Sequence, residues 1–178
     1  GARGSRDFSA PAPGTRLATD VTEFGLGPRG PKCHPSAAVG LCDGRVAAWA
    51  AGPSPSKALA QGMPAQLEGR IAPGCVARSD RGWHYGTPDW VAACASMGAV
   101  RSMSRKGRPP GNAACEGLFG RLEAGPFRLP GWSGWTPGRF AAEPGRYMSW
   151  YNSGRLKSFG PGRYDTIDGR RAGMGLAA

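Results

Sequence analysis

The chain has only 12 acidic residues among 178, so the sequence context of each one can be examined for a catalytic or metal-binding role. Asp20 lies near the end of a predicted strand, Asp80 directly follows another, and Glu116 lies beside the apolar face of a predicted helix. Strand ends that meet at one cleft are where α/β folds place ligands and catalytic groups. Carboxylates bind hard cations such as Mg²⁺, and two ions roughly 3.5–4 Å apart stabilise the attacking and leaving oxygens of phosphoryl transfer. If the three carboxylates converge in the fold, they predict a two-metal site for phosphoryl transfer. The alternative is that they are isolated surface residues that contribute only to solubility.

The elements that would position these acids follow a mixed α/β order. Residues 36–42 and 45–50 are apolar runs joined by Asp43-Gly44, a dipeptide typical of hairpin turns because both residues tolerate a positive φ. Three antiparallel strands are therefore expected first. The predicted strands cover residues 17–22, 36–42, 45–50, 75–77 and 99–103. The predicted helices cover residues 56–67, 87–98, 115–122 and about 140–151. The order is therefore three strands, a helix, a strand, a helix, a strand and two helices.

Helix boundaries are predicted from capping residues and prolines. Thr87 is followed by proline and an acid, which together form a strong helix start. Pro64 is expected to interrupt the helix predicted at 56–67. Pro144 and Gly145 are expected to end the last helix early.

The chain is strongly basic, with 23 Lys and Arg and a net charge of +11. Residues 101–163 hold most of the excess, with 11 basic and 3 acidic side chains interleaved with aromatic ones. Lys and Arg displace condensed counterions from phosphate, so this segment predicts a polyanionic partner, the alternative being a solvated basic surface. No run of about eighteen apolar residues is present, which argues against a membrane-spanning helix.

Several short motifs are more specific than the charge. They are TDVTEF at 19–24, CDGRV at 42–46, SDRGWHY at 79–85, RSMSRKG at 101–107, NAACEGLFGRL at 112–122, and WYN at 150–152 with Arg155 and Lys157. With these motifs, the chain resembles the integrase-core catalytic domain of bacterial orfB-type insertion-sequence transposases, which are relatives of retroviral integrases. The resemblance runs from about residue 15 to the C-terminus. It implies an RNase H-like fold, with a mixed sheet of three antiparallel and then two parallel strands flanked by helices.

The resemblance also implies a site and a reaction. Asp20, Asp80 and Glu116 would be the catalytic, metal-binding triad, and the 35 residues between Asp80 and Glu116 match the family's interval. Two Mg²⁺ or Mn²⁺ ions would support hydrolysis at the transposon end and strand transfer by the 3′-hydroxyl onto target DNA. His84 is a further candidate for contact with DNA or metal. The candidate DNA contacts are Arg105, Lys106, Arg108, Asn112, Arg121, Arg155 and Lys157.

Biological setting follows from the same resemblance. The partners would be transposon ends and target DNA, and the chain would bind them as a homo-oligomer that assembles on DNA. The protein would act at the nucleoid in the bacterial cytoplasm and would have no membrane partner. Residues 1–14 are expected to be a disordered linker remnant, and 15–178 the catalytic core with a helical C-terminal tail. The start without Met is expected to belong to a piece of a longer protein, since family members carry a further N-terminal DNA-binding region.

Some positions depart from the family pattern. Arg78 stands where the family usually has His, and Gly111 stands where it usually has Asp. Glu123 stands where the family usually has Lys, two turns beyond Glu116. A negative charge at this position would repel DNA phosphate, which the Lys would attract. The 30 Gly and 17 Pro residues also enter predicted helices. Two alternatives therefore remain: a decayed transposase remnant that binds DNA nonspecifically without catalysis, and a largely disordered basic chain.

Overall fold

The computed structural model describes residues 10–56, 59, 61–80, 82–103, 113–125 and 131–176. These residues form a mixed sheet between helices, followed by a short hairpin and a terminal helix. The strands are β1 (Arg16–Val21), β2 (Phe24–Gly25), β3 (Lys32–Gly40), β4 (Val46–Gly52), β5 (Val76–Ser79), β6 (Val100–Met103), β7 (Lys157–Ser158) and β8 (Tyr164–Asp165). The helices are α1 (Pro64–Leu67), α2 (Pro88–Ser96), α3 (Ala113–Ala124), α4 (Pro137–Ser153) and α5 (Ile167–Gly173), with a 3₁₀ turn at Trp83–Gly86.

The sheet has β1 at its centre. β1 pairs antiparallel with β3 and parallel with β5, and β3 and β5 carry the outer strands β4 and β6. The two-residue β2 pairs with the start of β3. The predicted arrangement of three antiparallel and then two parallel strands is therefore confirmed.

Hydrophobic side chains fill both faces of the sheet. Because successive strand residues point to opposite faces, Leu17 packs with α1 and α2 while Ala18 packs with α3 and α4. β3 continues this double burial with the small residues Ala37 and Ala38. Strands buried on both faces read as continuous apolar runs, which explains why 36–42 shows no alternation of apolar and polar residues.

Two prolines were expected to break helices, and one prediction was confirmed while the other was wrong. The helix predicted over 56–67 is interrupted at 62–63, just before Pro64, whereas Pro144 does not end the last helix. Pro64 begins α1, where its missing N–H has no intrahelical partner to lose. Pro144 lies inside α4, which continues to Ser153 because its apolar face is buried against the sheet. At Gly145 the helix approaches the sheet closely, since a Cβ there would lie 2.9 Å from Cζ2 of Trp49.

The Asp43-Gly44 turn is present as predicted and also anchors the C-terminal segment. Gly44 has φ +77°, and Oδ1 of Asp43 accepts the backbone N–H of Arg45 at 3.0 Å. Oδ2 of the same buried carboxylate accepts Nη1 of Arg171 on α5 at 2.9 Å. Nε of Arg45 in turn donates to Asp168 on α5 at 3.2 Å. A helical C-terminal tail was predicted, but the β7–β8 hairpin and the bounds of α5 were not, because contacts over more than 120 residues leave no local signal.

Residues 10–15 lead into β1. Residues 1–9 lie outside the described residues, and the Gly14 carbonyl accepts the N–H of Ala72 at 3.0 Å. The last predicted linker residue thus contacts the domain. No helix within the described ranges is long and apolar enough to cross a membrane.

The outer edge of β4 is covered by side chains instead of another strand. Asn152 of α4 accepts the N–H of Val46 through Oδ1 and donates Nδ2 to the Val46 carbonyl, each at 3.0 Å. Gln66 makes the corresponding pair of bonds with Trp49, at 3.2 and 2.7 Å. An exposed edge presents unpaired backbone groups to other chains, and these amides satisfy several of them within the domain.

We expect Asn152→Ala to lower the free energy of unfolding by about 2 kcal/mol or more, because it leaves two buried backbone groups of Val46 without partners. Urea denaturation measures this loss. Ser153→Ala is the matched control, since its hydroxyl makes only an exposed bond to the Ser149 carbonyl. Equal stability of the two variants would contradict the role given to Asn152.

Candidate active site

The pairing of β1 with β5 places two of the predicted acids side by side. Thr19 and Ser79 are register partners in this parallel pair. Asp20 and Asp80 are the next residue on each strand, and both are partly buried. The carboxyl ends of neighbouring parallel strands meet at one edge of a sheet, so the two aspartates emerge together, as the sequence predicted.

Each aspartate is oriented by a local hydrogen bond. Oδ1 of Asp20 accepts the N–H of Val21, and Oδ1 of Asp80 accepts the N–H of Gly82, both at 2.9 Å. The Asp80 bond forms an Asx turn, in which a side chain bonds the backbone two residues on.

Glu116 approaches from α3, which packs on β1. Cys115, fully buried, donates its thiol to the Ala18 carbonyl at 3.4 Å, and Glu116 follows as an exposed residue in the first turn. Burial raises the pKa of the Cys115 thiol well above its usual value, and the charges of Asp20 and Glu116 raise it further. Both acids therefore lie near the same thiol.

A buried polar layer supports the aspartates from beneath. Oγ1 of Thr19 donates to the Arg78 carbonyl at 3.1 Å and so links β1 to β5. Oγ of Ser36 donates to the Asp20 carbonyl at 3.2 Å and lies 3.4 Å from the Tyr85 hydroxyl. Burial raises the pKa of Tyr85, which keeps its hydroxyl neutral in this layer. The sequence analysis did not identify these supporting residues.

The three acids do not form a closed ligand cluster. Within the described part of the chain, no group of three or more His, Cys, Asp or Glu side chains is close enough to hold one ion. The available donors nonetheless have the right chemistry, since carboxylate oxygens suit hard divalent cations. The Cys115 sulfur, a softer ligand, is engaged with the Ala18 carbonyl. The donor set therefore fits Mg²⁺ or Mn²⁺ better than a metal that prefers sulfur.

The predicted DNA contacts divide into two groups. Arg105, Lys106, Arg108 and Asn112 lie outside the described residues, and the same holds for the side chain of His84. Arg121 lies on α3, where Nη1 donates to the Gly117 carbonyl at 2.6 Å. Arg155 and Lys157 follow α4, two residues apart, and Lys157 begins β7.

Arg121, Arg155 and Lys157 form a basic cluster with Arg170, a residue the sequence analysis missed. The guanidinium of Arg170 lies 4.2 Å and Nζ of Lys157 5.3 Å from the centre of the Phe159 ring. Burial lowers the pKa of Lys157, the Asp43 carboxylate raises it, and the three arginines lower it further. The four cations are therefore close enough to repel one another. Such a cluster is a binding surface for anions.

The basic cluster and the acids lie at opposite ends of β1. Nζ of Lys157 donates to the Asp43 carbonyl at 2.6 Å, in the turn after β3, and the neighbouring Leu41 N–H bonds Arg16 at the start of β1. Asp20 is near the other end of the same strand. Four residues of strand separate Arg16 from Asp20, or about 13 Å.

The comparisons with known proteins give consistent results. No family model matches the chain. The chain is 40% identical over 155 residues to the probable transposase for insertion sequence element IS1353 of Shigella flexneri, covering 86% of this chain and 30% of the relative. It is 31% identical over 153 residues to the putative transposase InsK for insertion sequence element IS150 of Escherichia coli, covering 85% and 53%. It is 30% identical over 170 residues to an uncharacterized transposase-like protein of Haemophilus influenzae, covering 90% and 75%.

The chain thus spans between about a third and a half of the length of the first two relatives.

Two solved structures with a similar fold come from retroviral proteins. The HTLV-2 integrase catalytic core domain in complex with magnesium superposes with a TM-score of 0.61 at 14% identity, over 82% of this chain and 91% of that one. A chain of the simian T-cell lymphotropic virus intasome, in complex with a PP2A regulatory subunit, gives a TM-score of 0.66 at 13% identity, over 83% and 51%. These similarities confirm the RNase H-like fold.

We expect Thr19→Val to lower the free energy of unfolding by about 1–2 kcal/mol, because the isosteric side chain loses the bond to Arg78 inside the buried layer. Urea denaturation gives the value. Thr22→Val, a partly exposed position just after β1, is the control and should change stability by less than about 0.5 kcal/mol. Indistinguishable values for the two variants would contradict a supporting role for Thr19.

Proposed function

This chain belongs to the insertion-sequence transposases with an integrase-type catalytic core, and we propose that it carries the catalytic centre of a metal-dependent DNA transposase. The reaction would be hydrolysis at a transposon end, followed by transfer of the 3′-hydroxyl strand onto target DNA. The observation that carries this proposal is the emergence of Asp20 and Asp80 from neighbouring parallel strands, with Glu116 in the first turn of the helix above them.

Asp20, Asp80 and Glu116 would hold the ions. A magnesium complex is known for the HTLV-2 integrase core of the same fold, and the all-oxygen donor set of this chain agrees with that metal. When bound, two divalent ions supply positive charge to the attacking and leaving oxygens of phosphoryl transfer. The chain's own contribution is to orient the carboxylates, through the backbone N–H groups of Val21 and Gly82 and the layer around Thr19.

DNA is the proposed partner because a basic cluster lies at the opposite end of β1 from the catalytic acids, within reach of a nucleic-acid strand that passes them. Arg121 lies on the same helix as Glu116, and Arg155, Lys157 and Arg170 extend the positive charge beyond it. Arg105, Lys106, Arg108 and Asn112 are proposed to contact the backbone as well, and His84 to lie near the reacting strand. Transposon ends and target DNA would be brought together by a homo-oligomer at the bacterial nucleoid. The dimeric and trimeric forms of the HTLV-2 integrase core support the oligomeric part of this proposal.

Glu123 is a feature of this chain that opposes DNA binding. It lies seven residues after Glu116 on the continuous helix α3, which is two turns further along nearly the same face. A negative charge there faces the path that the proposed DNA would take past the acids. This position favours the second candidate function, a remnant that binds DNA weakly and does not catalyse.

We expect Asp80→Asn to weaken Mn²⁺ binding at least about tenfold, since losing a direct ligand should cost no less than losing a supporting residue of a metal site. Isothermal titration calorimetry measures the affinity, and strand cleavage and joining on oligonucleotide duplexes measure activity, which should also be lost. Asp89→Asn, which removes a carboxylate in the first turn of α2 that binds Gln61, should alter neither. Equal Mn²⁺ affinity of both variants and the parent chain would contradict the assigned site.

We expect Glu123→Lys to tighten duplex binding and to steepen its salt dependence by about 0.9 in the slope of log K against log salt, as one added phosphate contact does. Fluorescence anisotropy over a salt series measures both. Glu68→Lys makes the same charge change on an exposed residue beyond α1 and should leave the slope unchanged. If the Glu123→Lys variant cleaves DNA and the parent chain does not, the negative charge of Glu123 is sufficient to inactivate the enzyme.

A further inference from the structure

A second concave site lies between the C-terminal halves of α3 and α4. It is a cleft of about 280 Å³, close to the lower end of ligand sites, which begin at roughly 300 Å³. Its walls are Arg121, Ala124, Gly125, Tyr147, Trp150 and Arg155. None of the three proposed catalytic acids lines it.

One wall of the cleft is an aromatic surface held in a fixed orientation. Trp150 is 38% exposed and lies 5.6 Å from Tyr147 between ring centres, tilted by 43°. Its indole rests against the backbone at Gly154, where an added Cβ would lie 2.7 Å from Cδ1. A partly exposed indole held this way presents a flat face, which is the feature that stacks on nucleic-acid bases without regard to sequence.

The other wall carries positive charge with an unmet donor. The guanidinium of Arg155 stacks over Tyr151 at 4.8 Å, and its buried Nη1 finds no hydrogen-bond acceptor among the described residues. Arg155 also lines the cleft, so its guanidinium places positive charge beside any anionic oxygen that enters. Arg121 lines the same cleft, and Lys157 and Arg170 lie close enough to add to the positive potential.

We propose that this cleft is a subsite for single-stranded DNA, in which Arg155 and Arg121 bind a backbone phosphate and Trp150 stacks on the adjacent base. The proposal rests on the proposed function and specifies how the strand is held outside the catalytic acids. An isolated anion would need no aromatic wall, whereas a nucleotide offers a base to the indole and a phosphate to the arginines.

The position of the cleft on α3 sets its distance from the reacting phosphate. With a rise of 1.5 Å per residue, Arg121 and Ala124 lie about 7.5 and 12 Å along the helix from Glu116. The spacing along one strand of a duplex is roughly 3.4 Å per nucleotide and that of a single strand is longer, so the subsite corresponds to a nucleotide at most about four positions from the one that is cleaved. It would hold the strand against sliding while the reaction proceeds.

The test is equilibrium binding by anisotropy without divalent metal, so that it does not depend on catalysis. The probes are labelled oligo(dT) of about 12 nucleotides, within the range of single-strand site sizes, and an oligomer of equal length with abasic sugars throughout. Trp150→Ala should weaken oligo(dT) binding about fivefold or more and leave abasic binding unchanged. Trp150→Phe, which keeps an aromatic face, should restore most of the loss.

Arg155→Gln should weaken binding of both probes and reduce the salt slope by about 0.7, the value for one contact to a single strand. Arg146→Gln, an exposed arginine on the same helix, is the control and should leave the slope unchanged. Thermal melts establish that each variant is folded. If Trp150→Ala affects both probes equally, or neither, the subsite is overturned while the proposed function stands. If the parent chain binds neither the single-stranded probes nor duplex DNA, both the subsite and the proposed function in DNA binding are contradicted.

Discussion

The pairing of β1 with one antiparallel and one parallel neighbour is the constraint on which the rest of the structure depends. The parallel neighbour β5 places Asp80 beside Asp20 at one edge of the sheet. The antiparallel neighbour β3 returns the chain to the opposite edge, where the Asp43-Gly44 turn receives Lys157 and Arg171. Because parallel strands require a long crossover, the acids come from distant parts of the sequence and share one edge only through this sheet.

Helix α3 connects the two edges. Its first turn is held on β1 by Cys115, beside the proposed catalytic acids, and its later turns carry Arg121 into the basic cluster. A rigid helix keeps a constant distance between an acidic and a basic site, which loops would not do. The same geometry makes the charge of Glu123 important, since that residue lies two positions beyond Arg121, at the basic end of the helix.

Local chemistry explains which features were predictable. The Asp43-Gly44 hairpin and the helix start at Thr87 were, because turn and cap residues act within a few positions. So was the placement of Asp20 and Asp80 at strand ends. The course of α4 through Pro144 was not, because tertiary burial outweighs a local cost of about 3 kcal/mol. The supporting layer at Tyr85 and the cleft at Arg155 likewise arise from contacts between distant segments.

The glycine content also has a tertiary explanation at two positions. Gly145 admits Trp49 and Gly154 admits Trp150, in each case at a distance that a Cβ would obstruct. A large indole set against a bare backbone achieves close packing that a better helix former would prevent. Glycine within or after α4 is therefore no evidence of decay in itself. Whether this chain is an enzyme or a remnant depends instead on a few charges along α3, where Glu116 and Glu123 are set two turns apart.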